Sequence, residues 1–211
     1  MRQLMVSCVA VAGLAVGVAQ ADIVNIQGVV SASTEQTGAT YSGSLEYNFM
    51  GGSTGELKVS LTNDTPASVG GFLTGFLFRA DAVTGAALTS ANPISFQNTG
   101  ADSGSPFGTF DGGAALGGSF LGGGSPTAGL GIGQSGMFVF SITSAMASTI
   151  SAADFLGTLS NPGFVVRFRG LADGGSDKVP GGPGPDVVIP LPGAGMLAGA
   201  GLLALGLRRR R

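Results

Sequence analysis

The chain has 211 residues, of which 39 are glycine and only 10% are charged, and it contains no histidine. That composition excludes a histidine-based nucleophile triad and a histidine-ligated zinc site, and it argues against a helix-rich domain, because glycine costs about 1 kcal/mol against alanine in a helix. The formal net charge of −2 conceals an uneven division: residues 22–186 carry all 12 acids against Lys58, Arg79, Arg167, Arg169 and Lys178, a net charge of −7, which excludes the clustered basic surface that nucleic acid requires.

The first segment reads as a signal peptide, residues 1–21. Arg2 supplies the positive start, Leu4 to Val18 the apolar run, and Ala19-Gln20-Ala21 the small-x-small cleavage pattern, so the mature chain begins at Asp22. Cys8, the one cysteine, lies within this leader, ahead of the place a lipid-modified cysteine would occupy. The mature chain therefore has no thiol for catalysis, clusters or disulfides, and its stability has to come from packing.

Period-2 alternation then marks strands. Ile23 to Val30 and Thr40 to Phe49 carry it faintly. In Glu56 to Thr62, Leu57, Val59 and Leu61 share a face. Phe72, Thr74, Phe76 and Phe78 share a face of the next strand, with Leu73, Leu77 and Arg79 opposite. Phe138, Phe140 and Ile142 align in Met137 to Thr143, and Phe164, Val166 and Phe168 alternate with Val165, Arg167 and Arg169. Asn63-Asp64, Asp111-Gly112 and Asp173-Gly174 supply turns between them. One short helix is expected where Ser151 and Asp154 have capping-box spacing and Phe155, Leu156 and Leu159 follow, ended by Asn161-Pro162. Gly112 to Gly136 reads as a long glycine-rich surface loop, and residues 173–186 as a Gly/Pro-rich linker. Many short strands with glycine turns predict an all-β fold, an antiparallel β-sandwich of jelly-roll or Ig-like type, over residues 22–172.

The last 25 residues, 187–211, have a three-part order. A proline motif (Ile189, Pro190, Leu191, Pro192, Gly193) precedes an uncharged apolar run to Leu207, and Arg208, Arg209, Arg210 and Arg211 end the chain. The run after Pro192 is roughly 22 Å long as a helix, short for a membrane crossing, so the span draws on Val187 to Ile189 or lets the arginines reach outward. Arginines beside a span stay cytoplasmic, which puts the rest of the chain outside. This tail resembles the PEP-CTERM class of bacterial sorting signals, in particular its Val-Pro-Leu-Pro-Ala-type variants, with Leu191 where the commonest motif has glutamate. The resemblance implies export through the secretory translocon and signal peptidase, and transient anchoring in the inner membrane of a Gram-negative-type bacterium. It further implies processing by an exosortase, a membrane-embedded cysteine protease, and release to the surface or into an exopolysaccharide matrix. The stretch from Phe164 to Val179 also looks like the end of many such ectodomains. The plainer alternative is a permanent single-pass anchor.

Other motifs carry less. Gly131-Ile-Gly133-Gln-Ser-Gly136 matches a dinucleotide fingerprint in letters but precedes a strand instead of opening a helix. The acids are scattered beside Gly, Ser or Asn, which makes them turn residues before it makes them a glycosidase pair. No cofactor and no catalytic residue is expected. Calcium at Asp173 and Asp177 is the metal alternative, without EF-hand spacing. Arg167 and Arg169 share a strand face and are expected to pair with acids across the sheet, and Asn63-Asp64-Thr65 is formally a glycosylation triplet. The expectation is a non-enzymatic exported surface or matrix protein, with a carbohydrate- or calcium-binding module as the alternative.

Overall fold

The computed structural model describes residues 22–185; the expected signal peptide and sorting tail lie outside the described residues. The described residues are mostly β, as their alternation predicts. The strands are β1 (Asp22–Gly28), β2 (Tyr41–Gly51), β3 (Thr54–Asn63), β4 (Gly70–Phe78), β5 (Gly85–Asn92), β6 (Phe96–Asn98), β7 (Asp102–Ser103), β8 (Thr109–Phe110), β9 (Gly112–Leu116), β10 (Ser135–Thr143), β11 (Gly157–Thr158), β12 (Asn161–Pro162), β13 (Phe164–Leu171) and β14 (Ser176–Pro183). Ten of them form one antiparallel ladder in the order β5-β10-β3-β2-β1-β14-β13-β4-β9-β6, and β7-β8 and β11-β12 are small separate hairpins.

Chain connectivity bends this ladder back on itself. β5 and β6 stand at its opposite ends, yet only residues 93–95 join them, a reach of about 14 Å when extended. The two ends therefore meet, and the Leu88 N–H donates to Asn98 Oδ1 at 3.0 Å. The inner faces pack together: Phe76 on β4 meets Phe138 on β10 with ring centroids 4.8 Å apart, although the two strands are six places apart in the ladder. Phe78 meets Phe140 edge-on at the same distance. Leu57, Val59 and Leu61, then Phe138, Phe140 and Ile142, then Phe164, Val166 and Phe168 are all buried in this core, as their alternation predicts. Each such side chain contributes about 1.5–3 kcal/mol by leaving water. Tyr41 is also buried here with its hydroxyl unpartnered among the described residues, and burial pushes its pKa up.

Several expectations need correction. In β4 the alternation is interrupted: Arg167 pairs with Gly75 but Phe168 with Leu73, leaving Thr74 as the extra residue of a bulge. A one-residue slip exchanges faces, so Leu73 enters the main core and Phe72 becomes half-exposed. The expected helix is a 3-10 turn, Ala152–Phe155; the Ser151 N–H donates to Asp154 Oδ2 at 2.8 Å as the capping spacing implies. It ends early because Gly157, at φ +62°, turns the chain into the β11-β12 hairpin, where Leu159 is exposed. The expected glycine-rich loop begins with a strand: β9, Gly-Gly-Ala-Ala-Leu, is buried throughout, and a Cβ on Gly113 would strike the Phe76 carbonyl oxygen. Small residues there permit close approach; they do not mark mobility.

The largest correction concerns the linker. Residues Ser176–Pro183 form β14, an interior strand that joins the two halves of the ladder. Its first half pairs with β13 (Val165 opposite Pro180) and its second with β1 (Ile26 opposite Pro183). Proline is tolerated because Pro180 sits where the pairing changes sides, its carbonyl accepting from the Val29 N–H at 2.9 Å. Gly181 and Gly182 are buried, and a Cβ on Gly181 would lie 3.0 Å from the Tyr41 hydroxyl oxygen. The body thus runs to Pro183, past the boundary expected at 172.

Candidate functional site

The β13-β14 hairpin carries both acids singled out for calcium. Asp173 is an exposed turn residue whose Oδ1 accepts from the Gly175 N–H at 2.8 Å. Asp177 lies opposite Phe168 on the inner face, 1% exposed. Its Oδ2 accepts from the Ser33 hydroxyl at 3.0 Å, the Thr37 hydroxyl at 2.8 Å and the Thr37 N–H at 3.1 Å. Its Oδ1 accepts from the Thr34 hydroxyl and the Glu35 N–H, both at 3.0 Å, and from the Lys178 N–H at 2.8 Å. Burial alone would raise this carboxyl; the hydrogen bonds outweigh it and hold the pKa below the usual aspartate value. With three protein donors on each oxygen, Asp177 has no lone pair for a cation, so the calcium reading of Asp177 is corrected to a structural one. Among the described residues no group of three or more His, Cys, Asp or Glu side chains comes together to hold a metal. The Ser33-Thr34…Thr37 hydroxyl cluster that completes this node was visible as composition, but nothing in the sequence paired it with an acid 140 residues away.

The outer face of the same hairpin carries Arg167 and Arg169, and here too the expectation changes. Neither meets an acid among the described residues. Arg167 Nη1 donates to the Phe120 carbonyl at 2.6 Å, and Arg169 Nη1 donates to the Gly123 and Gly124 carbonyls at 2.5 and 3.1 Å. Burial and the neighbouring Arg169 charge lower the Arg167 pKa. Phe120 itself is buried with Leu77, Phe110 and Val165 in a second apolar cluster on this outer face, and its N–H donates to Asp102 Oδ2 at 2.8 Å. The glycine-rich segment is thus fastened over the sheet.

The formal glycosylation residue Asn63 is fully buried, its amide donating to the Leu130 and Gly71 carbonyls. The fingerprint-like run folds as a turn, with the Gly131 N–H donating to Gln134 Oε1 at 2.8 Å. Several acids end on backbone N–H groups: Asp22 on Ala152, Asp111 on Ala80 and Asp154 on Ser151. Burial pushes the Asp111 carboxyl up, against the Ala80 N–H and the Arg79 charge. Glu46 and Lys58 form an ion pair at 2.6 Å on neighbouring strands, and the Lys58 hydrogen bond holds the Glu46 carboxyl below its usual range.

One recess stands out at the lower end of the body, where β1 begins and β2, β10 and β14 end. It has a volume of about 380 Å³ and is lined by Arg79, Asp81, Met146, Ile150, Asp154 and Asn161 among others. The Arg79 guanidinium is engaged by Thr109 O at 3.0 Å, Phe107 O at 3.2 Å and Asn161 Oδ1, and lies 4.6 Å over the Phe110 ring. The chain leaves the body at this same end. Gly184 N–H donates to Asn25 O at 2.8 Å and the Asn25 amide to Pro185 O at 3.2 Å, so the exit is tied to β1. The sorting motif Ile189 to Gly193, the arginines 208–211 and the cleavage residues Ala19 and Ala21 lie outside the described residues. Among the described residues no helix is long and apolar enough to cross a membrane. Comparison with protein-family models, with curated proteins and with solved structures gives no match to this chain.

Proposed function

We propose that the chain is an exported, non-enzymatic surface or extracellular-matrix protein, associated with exopolysaccharide, that an exosortase sorts and processes through its tail. The observation that carries this reading is the order Ile189-Pro-Leu-Pro-Gly193, uncharged run, Arg208 to Arg211, opposite a leader that ends at Ala21. The body supports it: β14 ends six residues before the motif. The finer fold reading belongs to the same proposal. The halves β5-β10-β3-β2-β1 and β14-β13-β4-β9-β6, packed inner face to inner face through Phe76, Phe138 and Phe140, support a jelly-roll or Ig-like sandwich.

The test is the intact mass of the protein from its native host, in membrane and released fractions. A mass running from Asp22 to the neighbourhood of Pro190-Leu191-Pro192 is the expected result. A full tail through Arg211, found only in membranes, sinks the processing and leaves a permanently anchored surface protein.

A second reading, a carbohydrate-binding module, is favoured by the outer face of β2, β3 and β10, which none of the other described residues covers. Ser60, Thr62, Asn92 and Ser135 line a shallow groove there, with the Thr62 and Ser135 hydroxyls 2.8 Å apart. It predicts that a polysaccharide raises the melting temperature of the protein.

A further inference from the structure

The end of the body at which the chain exits is also a rim of exposed apolar side chains. Ile23 stands at the start of β1, and Phe49 and Met50 at the end of β2 before its turn. Met146 follows β10, and Leu159 is at the tip of the β11-β12 hairpin; these side chains are 44–64% exposed. The strand register places the first three together: Asp22 pairs with Tyr47 and Ile23 with Glu46, so Phe49 and Met50 continue past the start of β1. The Ser144 N–H donates to Ser53 O at 2.9 Å, which brings the segment bearing Met146 against that same turn. The Tyr47 hydroxyl donates to Ala147 O at 2.8 Å from beneath it.

With residues 173–183 built into the hairpin and the sheet, and residues 184–185 tied to Asn25, no long spacer follows the body. From Pro185 the uncharged run starts at Val187, about 7 Å away in extended chain, and even Gly193 is within about 28 Å. A span that begins anywhere in that interval keeps the lower end of the body within about 28 Å of the hydrocarbon core, near enough to touch the lipid surface.

We propose that, while the tail spans the membrane, this rim docks on the lipid surface, with Phe49, Met50, Met146 and Leu159 entering the headgroup–acyl boundary. The inference rests on the membrane-spanning reading of the tail. The contact is apolar in character, and acids outnumber cations around it: Asp22, Glu56, Asp81, Asp111 and Asp154 lie at this end with Arg79, whose guanidinium is held by the Thr109 and Phe107 carbonyls, while Lys58, level with Ile23, is paired with Glu46. It therefore suits zwitterionic lipid and weakens with anionic lipid, in contrast to binding through basic patches.

The mature chain has no cysteine, so single labels are available without background. Met50→Cys, Met146→Cys and Leu159→Cys report on the rim. Ile94→Cys, between β5 and β6 at the opposite end and 91% exposed, is the control. All four sites are on the surface, and an unchanged melting temperature verifies each fold. The mature chain with its tail is labelled with an environment-sensitive dye and reconstituted into phosphatidylcholine vesicles that carry a headgroup quencher. The expected result is flotation with the vesicles, loss of emission at the three rim positions and none at position 94, the rim loss diminishing as phosphatidylglycerol is added. Flotation with the rim labels as bright as the control overturns docking while leaving the membrane span intact. Failure to float overturns both. Rim quenching that increases with phosphatidylglycerol overturns the apolar mode of contact.

Discussion

Two irregular segments, residues 29–40 and residues 117–134, are fastened to the same hairpin by opposite chemistry. On the inner face of β14 one carboxylate, Asp177, gathers hydroxyl and backbone N–H donors from residues 33–37. On the outer face of β13 two guanidinium groups, Arg167 and Arg169, gather backbone carbonyls from residues 120–124. The first segment is rich in Ser and Thr and offers donors. The second is rich in glycine and offers little but its backbone, so it needs cations to engage its carbonyls and one large side chain, Phe120, to anchor it. A flexible composition therefore does not decide mobility; the partner presented by the rigid element does.

The largest expected effect comes from removing what both fastenings share. A chain ended at Ala172, where the sequence alone places the domain boundary, lacks β14 and Asp177 and does not fold, whereas a chain ended at Pro185 does; circular dichroism melts compare the two. Next is Phe120→Ala, which leaves a void among Leu77, Phe110 and Val165 and costs about 3–5 kcal/mol in urea denaturation.

Asp177→Asn sets an amide N–H₂ against donors and costs about 3 kcal/mol. It also has a pH signature. Because the native carboxyl titrates below its unfolded value, its contribution is fully present above the ordinary aspartate pKa, about 3.9, and is lost as pH falls through the depressed native value. In the variant that part of the acid limb is absent, and melts across that pH range in both proteins check it. The smallest effects separate the two arginines. Arg167→Met, at the half-buried site, costs about 1–2 kcal/mol, and Arg169→Met, on exposed carbonyls, less than about 1 kcal/mol. Both raise proteolytic nicking within residues 117–124 while leaving 33–37 protected; equal nicking of the two segments would show that the fastenings are not independent.

The strands that alternate cleanly are legible in the residue order. Leu57, Val59 and Leu61, and Phe138, Phe140 and Ile142, occupy the core as their spacing implies, because a strand buried on one face writes its burial into a two-residue period. β9 and β14 are not legible in this way, because both are packed closely by neighbouring backbone. Their positions select Gly, Ala and Pro, the residues that also mark loops and linkers. The Thr74 bulge is hidden for a related reason: an extra residue changes faces without changing composition. As for site residues, the proposed sorting motif is a contiguous pattern, which is why sequence alone is enough to propose it. The roles of Asp177, Arg167 and Arg169 are not, since each partner lies tens of residues or more away in the chain.

By itself, then, the sequence determined the all-β class, the core faces of its alternating strands, the acidic charge of residues 22–186, and the absence of histidine chemistry. These follow from local period and composition, which need no knowledge of neighbours. Only the tertiary structure decided that the stretch read as a linker closes the sheet, that a calcium candidate is a saturated structural carboxylate, and that the chain exits through an apolar rim. Each depends on which distant backbone comes within hydrogen-bonding or van der Waals reach, and the bending of the ladder that makes β5 meet β6 fixes that.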